Sequence, residues 1–133
     1  MRRDSREAVY KILFAELFNS ENDDSFENSV FEEQKLNAED KAFANQLLCK
    51  IRENKQEINE IISTFSKGYK FERLYSTDKC ALTVAVCELK YFDDIPSVVS
   101  IDEALFLVRK YSTEESLSFV NGILASLKKS LEV

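Results

Sequence analysis

The first residues of the chain could bind phosphate groups. Arg2, Arg3 and Arg6 lie close together there, with only Asp4 and Glu7 as nearby acids. A planar guanidinium group binds phosphate oxygens through two parallel hydrogen bonds. Arginines at the start of a helix also oppose its dipole, which favours a functional reason for them. The alternative is a solvated helix end that merely tolerates these charges.

Other kinds of chemistry have little support in the composition. The chain contains no histidine, which is the most common general base and metal ligand near neutral pH. The acid pairs 23–24 and 93–94 lack metal-loop or glycine-rich spacing, so solvated loop charges explain them better than a catalytic pair does. We therefore expect a protein without enzymatic activity, metal or other cofactor.

The cysteines and the hydropathy pattern indicate where the protein works. Cys49, Cys80 and Cys87 lie in apolar surroundings, where cysteine acts as a small buried hydrophobic residue, so we expect reduced thiols. No apolar run approaches the ~20 residues of a membrane span, and no signal-peptide core follows the first arginines. We expect a cytoplasmic protein that does not enter a membrane.

The net charge of −6 is unevenly distributed along the chain. Residues 12–40 contain nine acids against Lys35 alone, whereas residues 41–133 contain thirteen acids and thirteen bases. Such an acidic segment could attract a basic partner, but a solvated face that keeps the protein soluble explains most of these charges.

Helices must position these residues. A chain of 133 residues fits one domain, 1–133, and its single proline and two glycines leave little turn material. We therefore expect an all-α bundle of six or seven helices. The hydrophobic periodicity predicts helices near residues 5–19, 24–33, 38–66, 77–91, 101–111 and 113–131. The third is expected to break near Asn54, and the uncharged segment 80–87 is expected to form the most enclosed helix.

Capping patterns predict three of the helix starts. Ser100 with Glu103, and Ser112 with Glu115, each give the spacing of a capping box, and residues 37–40 give a weaker version.

An Asn-Gly pair lies in an unusual place. Asn-Gly is a strong hairpin signal between alternating apolar residues. Here the apolar neighbours recur at spacings of three and four, so Asn121 and Gly122 are predicted to lie inside a helix. A glycine there costs roughly 1 kcal/mol relative to alanine, which points to close approach of another backbone or of a ligand. Tight helix packing is the favoured explanation.

These segments resemble the NusB family in sequence and order. The specific part comprises 95–96 (Ile-Pro), 101–104 (Ile-Asp-Glu-Ala), 110–111 (Lys-Tyr) and 119–124 (Phe-Val-Asn-Gly-Ile-Leu). The arginine-rich start over 2–8 and the segments 71–74 and 87–89 are similar to the family more weakly.

The resemblance implies the all-α NusB fold, with two packed helical halves and no enzymatic step. Family members bind boxA, a single-stranded RNA element of ribosomal RNA operons, together with NusE and within the RNA polymerase antitermination complex. By position, Arg2, Arg3 and Arg6 would bind phosphates, and Phe119 and Asn121 would lie at the RNA surface. For Phe119, ordinary core packing is an equal alternative.

The resemblance also suggests partner contacts. Glu115 occupies a position that often carries an acid in the family, so it would touch the partner or the RNA, although its capping pattern with Ser112 offers another explanation. The family resemblance also allows a homodimer.

Several positions depart from the family pattern. Basic residues common in the family are replaced by Thr83 and Val98, and Tyr, Gly and Trp are replaced by Cys87, Lys50 and Tyr69. Fewer basic residues weaken salt-dependent RNA binding. Two alternatives follow: a helical protein-binding adaptor with little RNA affinity, or the NusB-like recognition domain of an rRNA cytosine methyltransferase. The second requires further sequence after residue 133.

Overall fold

The computed structural model describes residues 1–19 and 23–132, and all regular structure in them is helical. The helices are α1 (Arg2–Phe18), α2 (Asp24–Glu33), α3 (Ala38–Glu53), α4 (Lys55–Phe65), α5 (Ser76–Tyr91), α6 (Ser97–Tyr111) and α7 (Glu114–Leu131). A short 3₁₀ helix, Phe71–Arg73, precedes α5. The all-α prediction with up to seven α-helices is confirmed.

Local capping explains the start of α3 and the break after it. Asn37 and Asp40 form the predicted capping box, in which each side chain accepts a hydrogen bond from the backbone N–H of the other residue. The predicted break at Asn54 is also confirmed. The Asn54 side chain donates to the carbonyl of Lys50 at 2.9 Å, which ends α3 before α4 begins.

Helix α5 is the central element of the bundle. It contacts α1, α3, α4, α6 and α7, so it joins helices from both halves of the chain. Its uncharged segment is almost completely buried, with Leu82, Val84 and Val86 at 2% exposure or less. The prediction of a most enclosed helix is therefore confirmed. Within residues 1–19 and 23–132, no helix combines the length and apolar character needed to cross a membrane.

Two helices begin several residues earlier than predicted. Helix α1 starts at Arg2 rather than Ser5, and α6 starts at Ser97, directly after Pro96. Ser100 therefore lies inside α6, so the predicted cap at Ser100 is wrong. Its hydroxyl donates to Oε1 of Glu88 at 2.8 Å, because α6 packs against α5 there.

The start of α7 was predicted one residue too early. Thr113, not Ser112, is the N-cap, and its hydroxyl accepts a hydrogen bond from the N–H of Ser116 at 3.2 Å. The predicted capping box of Ser112 with Glu115 is therefore wrong. Residues 121–122 do lie inside α7, as predicted.

The cysteines divide into two environments. Cys80 and Cys87 are buried, and burial raises the pKa of each thiol to about 12. Cys49 is exposed, so its predicted apolar surroundings are wrong. Its thiol lies one helical turn from Glu53 and donates to that carboxylate at 3.2 Å.

Candidate nucleic-acid interface

The start of α1 lies against α3, α5 and α6, and Arg2 is the most accessible of its three arginines. The Arg2 guanidinium carbon is 4.3 Å from the centre of the Phe43 ring. Its Nη2 atom is 3.9 Å from Oδ2 of Asp94, and both side chains are more than half exposed. An exposed ion pair of this kind contributes ~1 kcal/mol at most. Arg2 therefore remains available to a ligand.

Arg3 is paired much more tightly. Its Nε and Nη2 atoms donate to the two carboxylate oxygens of Glu103 at 3.0 and 3.2 Å. The guanidinium carbon also lies 4.2 Å from the centre of the Phe106 ring. Hydrogen bonding to Glu103 and the charge of that carboxylate raise the pKa of Arg3. A residue of α6 thus holds Arg3 on the protein surface.

Arg6 lies in the interior, so the structure does not place it where a phosphate contact was expected. Its side chain is 5% exposed, and Nε and Nη2 donate to the Glu88 carboxylate at 2.6 and 2.8 Å. With the hydroxyl of Ser100 also donating to Glu88, this cluster joins α1, α5 and α6. Arg6 therefore has a packing role, and Arg2 and Arg3 are the two arginines of this segment that reach the surface.

A second candidate surface is the aromatic groove, an open groove of about 350 Å³ between the segment before α5 and the start of α7. It is lined by Tyr69, Arg73, Leu74, Tyr75, Asp78, Glu115, Ser116 and Phe119. Tyr69 and Tyr75 are 59% and 66% exposed. The Phe119 ring is half-buried and meets Tyr69 edge to face, with the ring centres 6.1 Å apart. Exposed rings beside a basic side chain suit the stacking of unpaired bases.

Sequence reasoning missed Arg73 and Tyr75 as parts of this groove. The backbone turns at Lys67 and Gly68, which have φ angles of 53° and 96°, respectively. Glycine tolerates the second of these values, and the turn directs the chain back so that Tyr69 reaches Phe119. Two tyrosines in a segment without helical periodicity were the signal available in the sequence.

A buried carboxylate fixes the start of α7 beside the aromatic groove. Asp78 is 2% exposed, and its two oxygens accept hydrogen bonds from the hydroxyls of Ser112 and Ser116, each at 2.8 Å. In the described ranges, no basic side chain forms an ion pair with Asp78. Hydroxyl donors thus connect α5 to the turn between α6 and α7. This connection sets the position of Phe119, one turn further along α7.

Asn121 lies in a different groove from Phe119. The α6–α7 groove, of about 500 Å³, is lined by Val98, Ile101, Asp102, Asn121, Ala125, Lys128, Lys129 and Glu132. Residues two apart on a helix are about 200° apart around its axis. The two predicted RNA contacts of α7 therefore do not share one surface.

The tight packing predicted at Gly122 is wrong. A Cβ atom built there would have no heavy atom within 4 Å, and the residue is exposed. Helix packing therefore does not explain this glycine. Approach of a ligand to the exposed face of α7 stays a prediction.

Helix α6 separates the arginines from the α6–α7 groove. Glu103 contacts Arg3 on one side, and the adjacent Asp102 lines the groove that contains Asn121. Glu115 is exposed at the mouth of the aromatic groove. Because Thr113 caps α7, a capping role no longer explains Glu115.

Within the described part of the chain, no cluster of three or more His, Cys, Asp or Glu side chains is arranged to hold a metal ion.

Comparison with known proteins gives concordant results. A model described as the NusB family matches residues 3–129. The chain is 36% identical over 128 residues to the transcription antitermination protein NusB of Acetivibrio thermocellus, which covers 96% of this chain and 88% of that protein.

Solved structures agree in fold. A structure of T. maritima NusB has a TM-score of 0.86 and 35% identity, covering 97% of this chain and 91% of that one. A crystal structure of the antitermination factors NusB and NusE in complex with double-stranded RNA has a TM-score of 0.87 and 25% identity, covering 97% and 96% of the two chains.

Proposed function

The chain belongs to the NusB family, and on that basis we propose that it is a transcription antitermination factor that binds single-stranded RNA together with NusE. The observation that carries the proposal is its similarity, over 97% of its length, to a NusB chain solved with NusE and RNA. We propose boxA-type RNA of ribosomal RNA operons as the ligand. The mechanism is assembly in the cytoplasm, and no covalent step occurs.

Two surfaces support RNA binding. At the start of α1, Arg2 and Arg3 present guanidinium groups that suit phosphate oxygens. In the aromatic groove, the rings of Tyr69 and Phe119 meet edge to face, and Arg73 lines the same groove. Base stacking on aromatic side chains contributes ~1–3 kcal/mol per base and tolerates different bases. RNA would therefore be held at its backbone by one surface and at its bases by the other.

A third element of the proposed surface is Asn121. It lies in the α6–α7 groove, close to Lys128 and Lys129. An amide group there can read a base edge or a sugar hydroxyl, while the lysines attract the backbone.

The partner proposal rests on charge and on Glu115. Within residues 12–40, several acids are already paired in the protein, since Glu16 and Glu27 both contact Arg52 at 2.5 and 2.7 Å and Glu33 contacts Lys11. The unpaired remainder is a smaller acidic surface than the sequence count indicates, and Glu21 lies outside the described residues. We propose that this remainder attracts a basic partner such as NusE, and that Glu115 touches partner or RNA. Contact with the RNA polymerase complex follows from the same assembly, and a homodimer is a further proposal.

The adaptor alternative has specific support. Thr83 is half-buried and its hydroxyl donates to the carbonyl of Lys79 at 2.7 Å, so it offers no basic group to RNA. Val98 is 59% exposed at the rim of the α6–α7 groove. The methyltransferase alternative has less support, because the A. thermocellus relative is named an antitermination protein and is covered over 88% of its length.

The test is a fluorescence anisotropy titration of a labelled boxA-type single-stranded RNA. The protein is added alone and with NusE, at two salt concentrations, and a scrambled RNA of equal length is the control. We expect salt-sensitive binding that NusE strengthens and that favours the boxA-type sequence. If the folded protein leaves the anisotropy unchanged under every condition, the RNA proposal fails and the adaptor alternative replaces it.

A further inference from the structure

The two exposed arginines of α1 differ in how their charge is compensated. Among the described residues, Arg2 pairs with one carboxylate, the exposed one of Asp94 at 3.9 Å, and its guanidinium also lies over the Phe43 ring. Arg3 has two hydrogen bonds to Glu103, whose side chain is only 16% exposed. A bidentate pair of this geometry resembles the arrangement that an arginine forms with a phosphate group. Glu103 thus occupies the Nε–Nη2 edge of Arg3, one of the two edges at which a guanidinium can bind a phosphate.

From this contrast we propose that Glu103 competes with an RNA phosphate for Arg3, and so limits the affinity of the free protein for RNA. The inference rests on the RNA-binding function proposed above. A phosphate that approaches Arg3 must displace Glu103 or bind a guanidinium whose charge is already compensated. In both cases the contact contributes less than a contact with a free arginine.

Phe106 makes this competition reversible. Its ring lies 4.2 Å from the guanidinium carbon of Arg3, a distance at which a cation is attracted to the ring face. The ring holds the guanidinium plane in place whether or not the carboxylate is bound to it. Arg3 would therefore stay in position for a phosphate after Glu103 is released, and Phe106 acts as a positioning residue.

The salt dependence of RNA binding measures the competition between Glu103 and an RNA phosphate for Arg3. Each basic group that neutralises a phosphate of single-stranded RNA contributes ~0.7 to the slope of log K against log salt. Because Glu103 compensates Arg3, this arginine contributes little to the slope in the unaltered protein. Freeing its charge steepens the slope by ~0.7, and strengthens binding about fourfold near 0.15 M salt.

The experiment measures the binding of the boxA-type RNA across a range of salt concentrations for Glu103→Gln. Glu60→Gln is the matched control, since the Glu60 side chain is exposed on α4, accepts a hydrogen bond from the nearby Gln56 side chain, forms no ion pair within the described residues, and loses the same charge in the variant. We expect tighter binding and a steeper slope for Glu103→Gln, little change for Glu60→Gln, and loss of the gain in Arg3→Ala/Glu103→Gln. Circular dichroism verifies that each variant is helical.

A second comparison needs no change at Glu103. In the unaltered background, Arg2→Ala should flatten the slope by ~0.7, and Arg3→Ala by clearly less. Equal flattening by the two variants overturns the proposal, as does an unchanged slope in a folded Glu103→Gln variant. A gain that persists without Arg3 overturns it too.

The two proposals fail in different ways. If the unaltered protein binds RNA and the Glu103→Gln slope does not change, only the competition is refuted. If neither protein binds RNA, the proposed function and the competition fall together. If only Glu103→Gln binds, the competition is supported in its strongest form.

Discussion

The start of α1 and the aromatic groove use charge in opposite ways. At the start of α1, Arg3 and Arg6 each have an acidic partner on another helix. In the aromatic groove, the buried carboxylate of Asp78 accepts hydrogen bonds from two hydroxyl groups and has no ion pair within the described residues, and Tyr69 and Tyr75 remain open to solvent. The most charged segment of the surface is thus largely engaged within the fold. The aromatic groove, which the sequence indicated less clearly than the start of α1, is more accessible to a ligand.

The largest effect is expected when the buried ion pair between Arg6 and Glu88 is broken. Glu88→Ala removes the carboxylate that accepts hydrogen bonds from Nε and Nη2 of Arg6. A buried guanidinium is then left without its partner. Removing one member of a buried pair costs ~3–5 kcal/mol of unfolding free energy. Denaturant unfolding followed by circular dichroism measures this loss.

The control for Glu88→Ala removes both charges together. Arg6→Met/Glu88→Leu replaces the pair by apolar side chains of similar volume and should recover most of the lost stability. If the Ala variant loses less than ~1 kcal/mol, comparable to an exposed pair, then Arg6 is not held in the interior and the contrast between the two regions disappears.

The fate of Arg6 shows what the sequence could not reveal. Three arginines close together look equivalent in the sequence, but a residue 82 positions away decides that one of them is buried. The same cause explains the error at Ser100, whose hydroxyl turns inward to Glu88 instead of capping α6. Local spacing predicts helices because periodicity is a local property. Partners distant in the chain have no local signature.

Much of the fold was nevertheless predictable. The uncharged segment in α5 and the break at Asn54 follow from local patterns, and the structure confirms both. The aromatic groove was harder, because a non-helical turn at Gly68 brings Tyr69 to Phe119 from another element. The sequence indicated Phe119 through the resemblance to the NusB family, but not the tyrosines that complete its surroundings.

The next largest effect is expected at Phe119 and tests whether the aromatic groove binds RNA. Phe119→Ala should weaken RNA binding by ~1–3 kcal/mol, or about 5-fold to 150-fold, because it removes one stacking surface. Titration of labelled boxA-type RNA measures the change. Phe14→Ala is the matched control, since Phe14 is also half-buried against the core but lies on α1, where it packs on Phe18.

Both variants remove the same side-chain volume, so both should lose some stability. Only Phe119→Ala should lose RNA affinity at a temperature where both are folded. Equal affinity for the two variants would mean that Phe119 is a packing residue, and the contrast with the α1 region would then have no functional meaning.

The smallest expected effect concerns the pH dependence of stability contributed by Glu7, a buried acid near the start of α1. Burial acts to raise the pKa of Glu7, but hydrogen bonds from Lys110 and Tyr111 outweigh it and lower the pKa below its ordinary value. A carboxylate with a lowered pKa stabilises the fold above the pKa of the unfolded state, which is ~4.3 for glutamate, and this contribution is lost as pH falls through the folded value.

Glu7→Gln should therefore lose ~1.5 kcal/mol of unfolding free energy at pH 7, the lower end of the contribution of hydrogen bonds to a charged group. The difference from the unaltered protein should shrink as the pH falls below ~4, where the unaltered carboxylate is also protonated. Urea unfolding at several pH values between neutrality and pH ~3 measures it. If the difference in unfolding free energy stayed constant over this range, Glu7 would act through its shape. The charge of its carboxylate would then contribute nothing to the stability of the start of α1.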